Sequence, residues 1–297
     1  MNTLVHNAKK FWSIAVPVIL SVIATSCAPE PTSVPAAAPA ASSGAIQAPA
    51  AGASATIDKI VKNGKLRIGV AVAPPWLLQD PATNKYFGPA VDISEKIASL
   101  LNVEVEYVPS NWDVLIAGLQ ADKFDLAGAP MFATEARMKV IDFMSYTSAG
   151  TCYFVKKDNT KINSLSDLND PSVTIVTFTG TGTEEGIRKS YPKAIIRSIV
   201  QPPGGQPPIE EILADRGVVG PMDSPIMVMV QSKYPDLRII GGADNCFANP
   251  DIPFPIGLGF NKGDAGLTTF LKLVVDSMQK DINANILKYS DPKYMGG

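Results

Sequence analysis

From Ile57 onward the chain alternates short apolar runs with amphipathic stretches. Ile57 to Lys62 reads as a short helical lead-in. Lys65 to Val72, KLRIGVAV, alternates and then turns wholly apolar, as a buried strand of a parallel sheet does. Asp92 to Leu101 carries Ile93, Ile97, Leu100 and Leu101 at helical spacing, and Asn102 closes that helix. Val103 to Val108, VEVEYV, alternates strictly and predicts a strand. Trp112 to Leu119 reads as a helix on which Trp112 packs. Phe124 and the residues after it form a short apolar strand, which Gly128, Ala129 and Pro130 end in a turn. Strand, helix, strand, helix, strand implies a parallel, doubly wound α/β lobe.

The second half repeats the rhythm. Thr151 to Lys156, Val173 to Phe178, Ile195 to Val200 and Leu237 to Ile240 predict strands. Ile209 to Ala214 and Ser224 to Gln231 predict helices, with Met227 and Met229 in the core. Pro255 to Phe260 is a further strand, and Leu267 to Met278 and Ile282 to Tyr289 are two closing helices.

Two stretches carry candidate chemistry. Thr134 begins a Thr-x-x-Arg tetrad that reads as a helix's first turn, with Thr134 as the cap and Glu135 at the positive end of the dipole. Arg137 then lies beside the free amides of a strand-to-helix turn, where a carboxylate meets a guanidinium fork and a helix N-terminus together. Taken alone, an arginine at this place reads as a solvated surface residue. The second stretch, Thr179 to Glu185, places Gly180 and Gly182 between a strand and a helix, so that backbone amides can face an anion. A dinucleotide site is excluded by the glycine register and by Glu184 and Glu185, which would repel a pyrophosphate.

Composition narrows the function. The chain has 297 residues, a formal net charge of −2 and no basic block, which argues against nucleic-acid binding. Its single histidine is His6. The rest of the chain therefore lacks imidazole for acid–base catalysis or metal ligation, and no cofactor is expected. Met1 to Lys10 is short and basic, and Phe11 to Ala24 is apolar but broken by Pro17, a secretory signal rather than a membrane span. Ala24-Thr-Ser-Cys27 resembles a bacterial lipoprotein signal, which implies cleavage after residue 26 and an acylated Cys27 held in a lipid bilayer. Residues 27–56 are rich in Ala, Pro and Ser and predict a disordered tether. An exported domain with two further cysteines, Cys152 and Cys246, suggests one disulfide, with two free buried thiols as the alternative.

Asp125 to Arg137, followed by KVIDFMSYTSAG, resembles the signature of the type 2 periplasmic solute-binding proteins, the polar amino-acid family. Asp125, Thr134, Arg137, Asp142 and Phe143 match it. Pro130 and Phe132 depart from it, standing where the family has Gly or Ser, and Ser or Thr. Further matches lie at Pro74-Pro75-Trp76, Ser164 to Leu168, Thr179 to Glu185, Asp223, and Pro255 to Asp264, so the likeness spans about residues 60 to 290.

The resemblance implies a two-lobed periplasmic binding protein fold, with two doubly wound, mainly parallel sheets joined by two hinge strands. Residues 57–149 and 250–297 would form lobe 1 and residues 150–249 lobe 2, the first crossing falling at Ser148 to Thr151. It implies that Arg137 clamps a ligand carboxylate, that Asp223 binds an ammonium, and that Trp76 stacks on the ligand. Ala129, Pro130, Phe132, Thr134, Thr181, Gly182 and Thr183 would complete the site, with the register between Thr181 and Thr183 open. It also puts the strands flanked by Cys152 and Cys246 side by side near the hinge. The implied function is capture of an amino acid or related small carboxylate for the permease of an ATP-driven importer. Phe132 and Trp76 favour an apolar or aromatic ligand body, because no acid beyond Asp223 is in place for a basic side chain. The alternatives are a cyclohexadienyl dehydratase-like enzyme, or a sensory or structural lipoprotein of the same fold. The former lacks a carboxylic acid after Asp223, where Pro225, Ile226 and Met227 follow.

Overall fold

The computed structural model describes residues 46–201 and 208–294. The signal at 1–26 and Cys27 lie outside the described residues. In chain order the elements are helix α1 (Ala55–Asn63), strand β1 (Lys65–Val70), the hairpin β2 (Leu78–Gln79) and β3 (Tyr86–Phe87), α2 (Pro89–Leu101), β4 (Glu104–Pro109), α3 (Leu115–Gln120), β5 (Leu126–Phe132) and α4 (Glu135–Val140). Then come β6 (Ile141–Lys156), β7 (Thr174–Phe178), α5 (Gly182–Ser190), β8 (Ile195–Ile199), α6 (Ile209–Leu213), β9 (Gly220–Asp223), α7 (Met227–Lys233), β10 (Leu237–Ile239) and α8 (Ala243–Ala248). Strand β11 (Asp251–Asn261) and α9 (Ala265–Tyr289) follow.

The fold is mixed α/β with two lobes, and β6 belongs to both. Its first half lies against β11 in a sheet ordered β6-β11-β5-β1-β4, with β1 parallel to both β4 and β5. Its second half lies between β9 and β10, antiparallel to each. Strands β7 and β8 pair in parallel and join β9 through the bridge from Ile175 to Val219. One antiparallel strand per lobe, β11 in the first and β6 in the second, therefore interrupts an otherwise parallel set. The expectation of two mainly parallel sheets holds, except that β6 makes them continuous.

Side-chain alternation covers both faces of the first lobe's sheet. Leu66, Ile68 and Leu126 face a core completed by Ile93 and Ile97 of α2 and Phe270 and Val274 of α9. Ala127, Ala129 and Met131 face Leu115 and Leu119 of α3. The second lobe has its own apolar clusters, one around Phe154, Val176, Met222 and Val230 and another around Tyr153, Ile175 and Ile187. Asp125, at the head of the signature, is structural. Its buried carboxylate accepts from Arg67 N at 2.9 Å and pairs with Arg67 and Lys59, each at 2.8 Å. Burial opposes its ionisation, but these contacts hold it below the usual carboxylate range.

At the crossing, Thr151 of β6 pairs with Asp251 of β11, and the register shifts before Phe254. Ile252, in that shift, has φ 47°, a left-handed conformation rare for a β-branched residue. Tyr153 and Tyr191 donate to Asp251 Oδ2 at 2.8 and 2.6 Å, tying this strand to the second lobe.

Several expectations are corrected. The tether ends before residue 56: Ser54 caps α1 and donates to Asp264 at 2.8 Å, and Ile46 packs on the first lobe's core. Strand β5 runs through Gly128–Pro130 to Phe132 instead of turning. The missing amide of Pro130 falls where β11 slips register between Gly257 and Gly259, so no ladder bond is lost. The two closing helices are one, α9, because no Gly or Pro separates them.

Cys152 and Cys246 form a disulfide with a Cα–Cα distance of 5.9 Å. The bond joins strand β6 to helix α8, not two strands as expected. Alkylation of the unfolded, unreduced chain should leave both residues unmodified, and reduction should add one alkyl group to each. Peptide mass spectrometry with either residue alkylated before reduction would refute the bond.

Candidate functional site

In open α/β sheets, ligands sit beyond the carboxyl ends of parallel strands. A cavity of about 90 Å³ lies at such ends. Ala73 and Pro74 reach it after β1, Trp112 after β4, and Pro130 and Phe132 from the end of β5. Thr177 and Phe178 reach it from β7, and Pro221, Met222 and Asp223 from β9. Arg137 of α4, Thr181, Gly182 and Thr183 at the start of α5, Gln201 and Ile226 complete the wall.

Local sequence fixes the arginine. Thr134 is the N-cap of α4, its hydroxyl accepting from Arg137 N at 3.3 Å. The guanidinium folds back to donate to Phe132 O at 2.9 Å and across the cleft to Gly180 O at 2.7 Å. Arg137 is only 7 % exposed. Burial pulls its pKa down to about 10, while the negative charge of Glu185 acts in the opposite sense. It stays charged at neutral pH. Two of its five N–H groups are engaged in these bonds, so a carboxylate entering the cavity still finds donors.

The opposite wall is shaped by the glycine loop. Gly180 has φ 79°, and a Cβ there would come within 2.6 Å of Asp113 Cα. Glu184 accepts from Gly180 N at 2.8 Å, which fixes the loop while Gly180 O receives Arg137. The hydroxyl of Thr181 caps α5 and donates to Phe178 O at 2.8 Å. Thr183 lies one turn position further on, at the second residue of the helix, and also lines the cavity.

Asp223 caps no helix with its side chain, although a short 3-10 turn begins at Ser224. No hydrogen bond or ion pair reaches its carboxylate among the described residues, and burial pushes its pKa up to about 7. A part-buried carboxylate with no cation beside it is the counterpart an ammonium needs.

Of the ten expected contact residues, seven line the cavity: Pro130, Phe132, Arg137, Thr181, Gly182, Thr183 and Asp223. Three do not. Trp76 is buried in the first lobe's core, because the Ala73–Leu77 turn folds its ring inward. Ala129 faces the α3 side of the sheet with Ala127 and Met131, the other odd positions of β5, whereas the even-numbered Leu126 and Phe132 belong to the core on the α2 side. Thr134 is buried beneath the site as a cap. The tryptophan that lines the cleft is instead Trp112, expected to pack on its helix. Its position just after β4 is the signal that could have found it, as Phe178 at the end of β7 could have been found. A second cavity of about 400 Å³ shares Trp112 and Gln201 with the first and is lined by Tyr86, Asn111, Asp113 and Thr179. The expectation of no acid beyond Asp223 therefore does not extend to this second space. Among the described residues no cluster could hold a metal ion, and no helix is long and apolar enough to cross a membrane.

Residues 66–290 match the model of the bacterial extracellular solute-binding proteins, family 3. The L-cystine-binding protein of Escherichia coli strain K12 is 26% identical over 233 residues, 76% of this chain and 81% of that protein. The glutamine-binding protein of Geobacillus stearothermophilus is 34% identical over 145 residues, 46% of this chain, and the match spans only 54% of that relative. The crystal structure of an ancestral amino acid-binding protein, a precursor of cyclohexadienyl dehydratase, superposes with a TM-score of 0.68 at 31% identity, covering 80% of this chain and 100% of that one. Each of these three is a binding protein for an amino acid or cystine. With a family match over most of its length and the two-lobed fold in place, the chain belongs to the family 3 bacterial extracellular solute-binding proteins.

Proposed function

We propose that the chain captures an amino acid, or a related small carboxylate, between its two lobes and delivers it to the permease of an ATP-driven importer. The observation that carries this reading is one cavity lined by both a buried guanidinium and an unpaired carboxylate, Arg137 and Asp223. A zwitterion satisfies both at once, and its capture would couple to lobe closure. Residues 46–149 and 250–297 would move as one lobe and 150–249 as the other. Thr183 is the better hydroxyl for the ligand, since that of Thr181 is already engaged twice. Trp112, Phe132 and Phe178 supply ring faces that suit an apolar or aromatic body. Acylation of Cys27 would anchor the protein to a membrane, with the Ala, Pro and Ser segment as its tether.

The Arg137→Ala variant should lose ~2–5 kcal/mol of binding free energy, as when one partner of a desolvated charge pair is removed. Titration calorimetry with the most stabilising amino acid of a panel measures this, and an affinity within threefold of wild type would sink the assignment.

Asp223 adds a pH dependence. An ammonium needs the carboxylate ionised, and its pKa in the ligand-free protein is raised to about 7. Affinity for an amino acid should thus be full above that value and fall by up to about tenfold per unit as pH drops below it. The Asp223→Asn variant should bind weakly and without this slope. A wild-type affinity that is flat between about pH 5 and 8 would point to a ligand without an amino group.

A further inference from the structure

The segment Gly180–Glu185 of the second lobe meets the turn Phe132–Arg137 of the first at three points. Arg137 Nη2 donates to Gly180 O at 2.7 Å. Gly182 approaches so closely that a Cβ there would stand 2.7 Å from Phe132 Cβ and 3.1 Å from Thr134 Cγ2. Thr134 Oγ1 donates to Glu185 Oε2 at 2.7 Å.

The third contact differs from the others, because neither Thr134 nor Glu185 lines the cavity. Thr134 is 1 % exposed, and its oxygen accepts from Arg137 N while its one proton goes to Glu185. The bond therefore links the cap that shapes the arginine's turn to a charged acceptor on the opposite lobe. A glutamate in the first turn of α5 would suit the helix dipole in any orientation. The dipole does not account for a hydrogen bond to a buried hydroxyl across the cleft. Glu185 also places its negative charge where it acts on the buried Arg137 guanidinium.

We propose that Thr134 and Glu185 form a latch between the lobes. Glu185 is a positioning residue that holds the cleft closed through Thr134 without touching the solute. Departure of a captured solute requires this bond to break, so the latch governs how long the closed state lasts. That consequence rests on the capture reading, but the latch itself is testable without any ligand.

The test places spin labels through E95C and K189C, exposed positions on the two lobes, in the full chain with its disulfide intact. Pulsed electron resonance then reads the interlobe distance in ligand-free protein. The labelled parent should show a short, closed component. Glu185→Ala and Thr134→Val should each reduce it by about tenfold, as loss of a hydrogen bond to a charged group implies. The double variant should be no more open than either single one. Thr134→Ser keeps both the cap and the donor and should match the parent. A Glu185→Ala distribution equal to the parent's, an additive double variant, or a parent with no closed component would each overturn the latch. Because Glu185 is exposed, its substitution leaves folding intact, and circular dichroism melting checks this directly.

Discussion

Both lobes hang from the antiparallel pairing of β6 with β11. Strand β6 is unbroken over 16 residues, giving its first half to one lobe and its second to the other. Strand β11 runs beside it from Asp251 onward, with Gly150 packed so tightly that a Cβ would come within 2.6 Å of Pro250. The disulfide follows at once in sequence, joining Cys152 to Cys246 before the chain turns into β11. The crossing is thus fixed to the second lobe by a covalent bond and by the two tyrosines on Asp251. Within this crossing the register of β6 with β11 shifts at Ile252.

From this geometry the site follows. Parallel strands in each lobe point their carboxyl ends toward a shared cleft, so side chains from β1, β4 and β5 meet those from β7 and β9. The buried guanidinium of Arg137 must find acceptors, and it takes one carbonyl from each lobe. Asp223 has none of the cations that would lower its pKa. The two charged groups that line the cavity therefore do not neutralise each other through a direct bond, and a ligand carrying both charges complements them.

Much of this was legible in the sequence because it is local. The Thr134 cap, the left-handed Asn102 that closes its helix, and the strand-to-helix loop at Gly180 follow from short-range chemistry that leaves a sequence trace. Arg137 and Asp223 were identified through resemblance, and their meeting in one cavity depends on topology. What the sequence hid is side-chain direction. Trp76 and Trp112 are both aromatic residues just past a strand end, and only the turn that folds Trp76 inward decides which one faces the cleft. The same limit hid Glu185, whose partner lies 51 residues away on the other lobe. Pro130 was misread as a chain turn because its tolerance depends on a bulge in β11, a non-local feature.

The central claim is that the cleft holds a small molecule by its carboxylate. The melting temperature of the chain measured with a panel of L-amino acids, each beside its decarboxylated amine, tests this most directly. Recognition by Arg137 requires that some amino acids raise the melting temperature while their amines do not. Equal stabilisation by an amine and its parent acid, or by none of the acids, would contradict it.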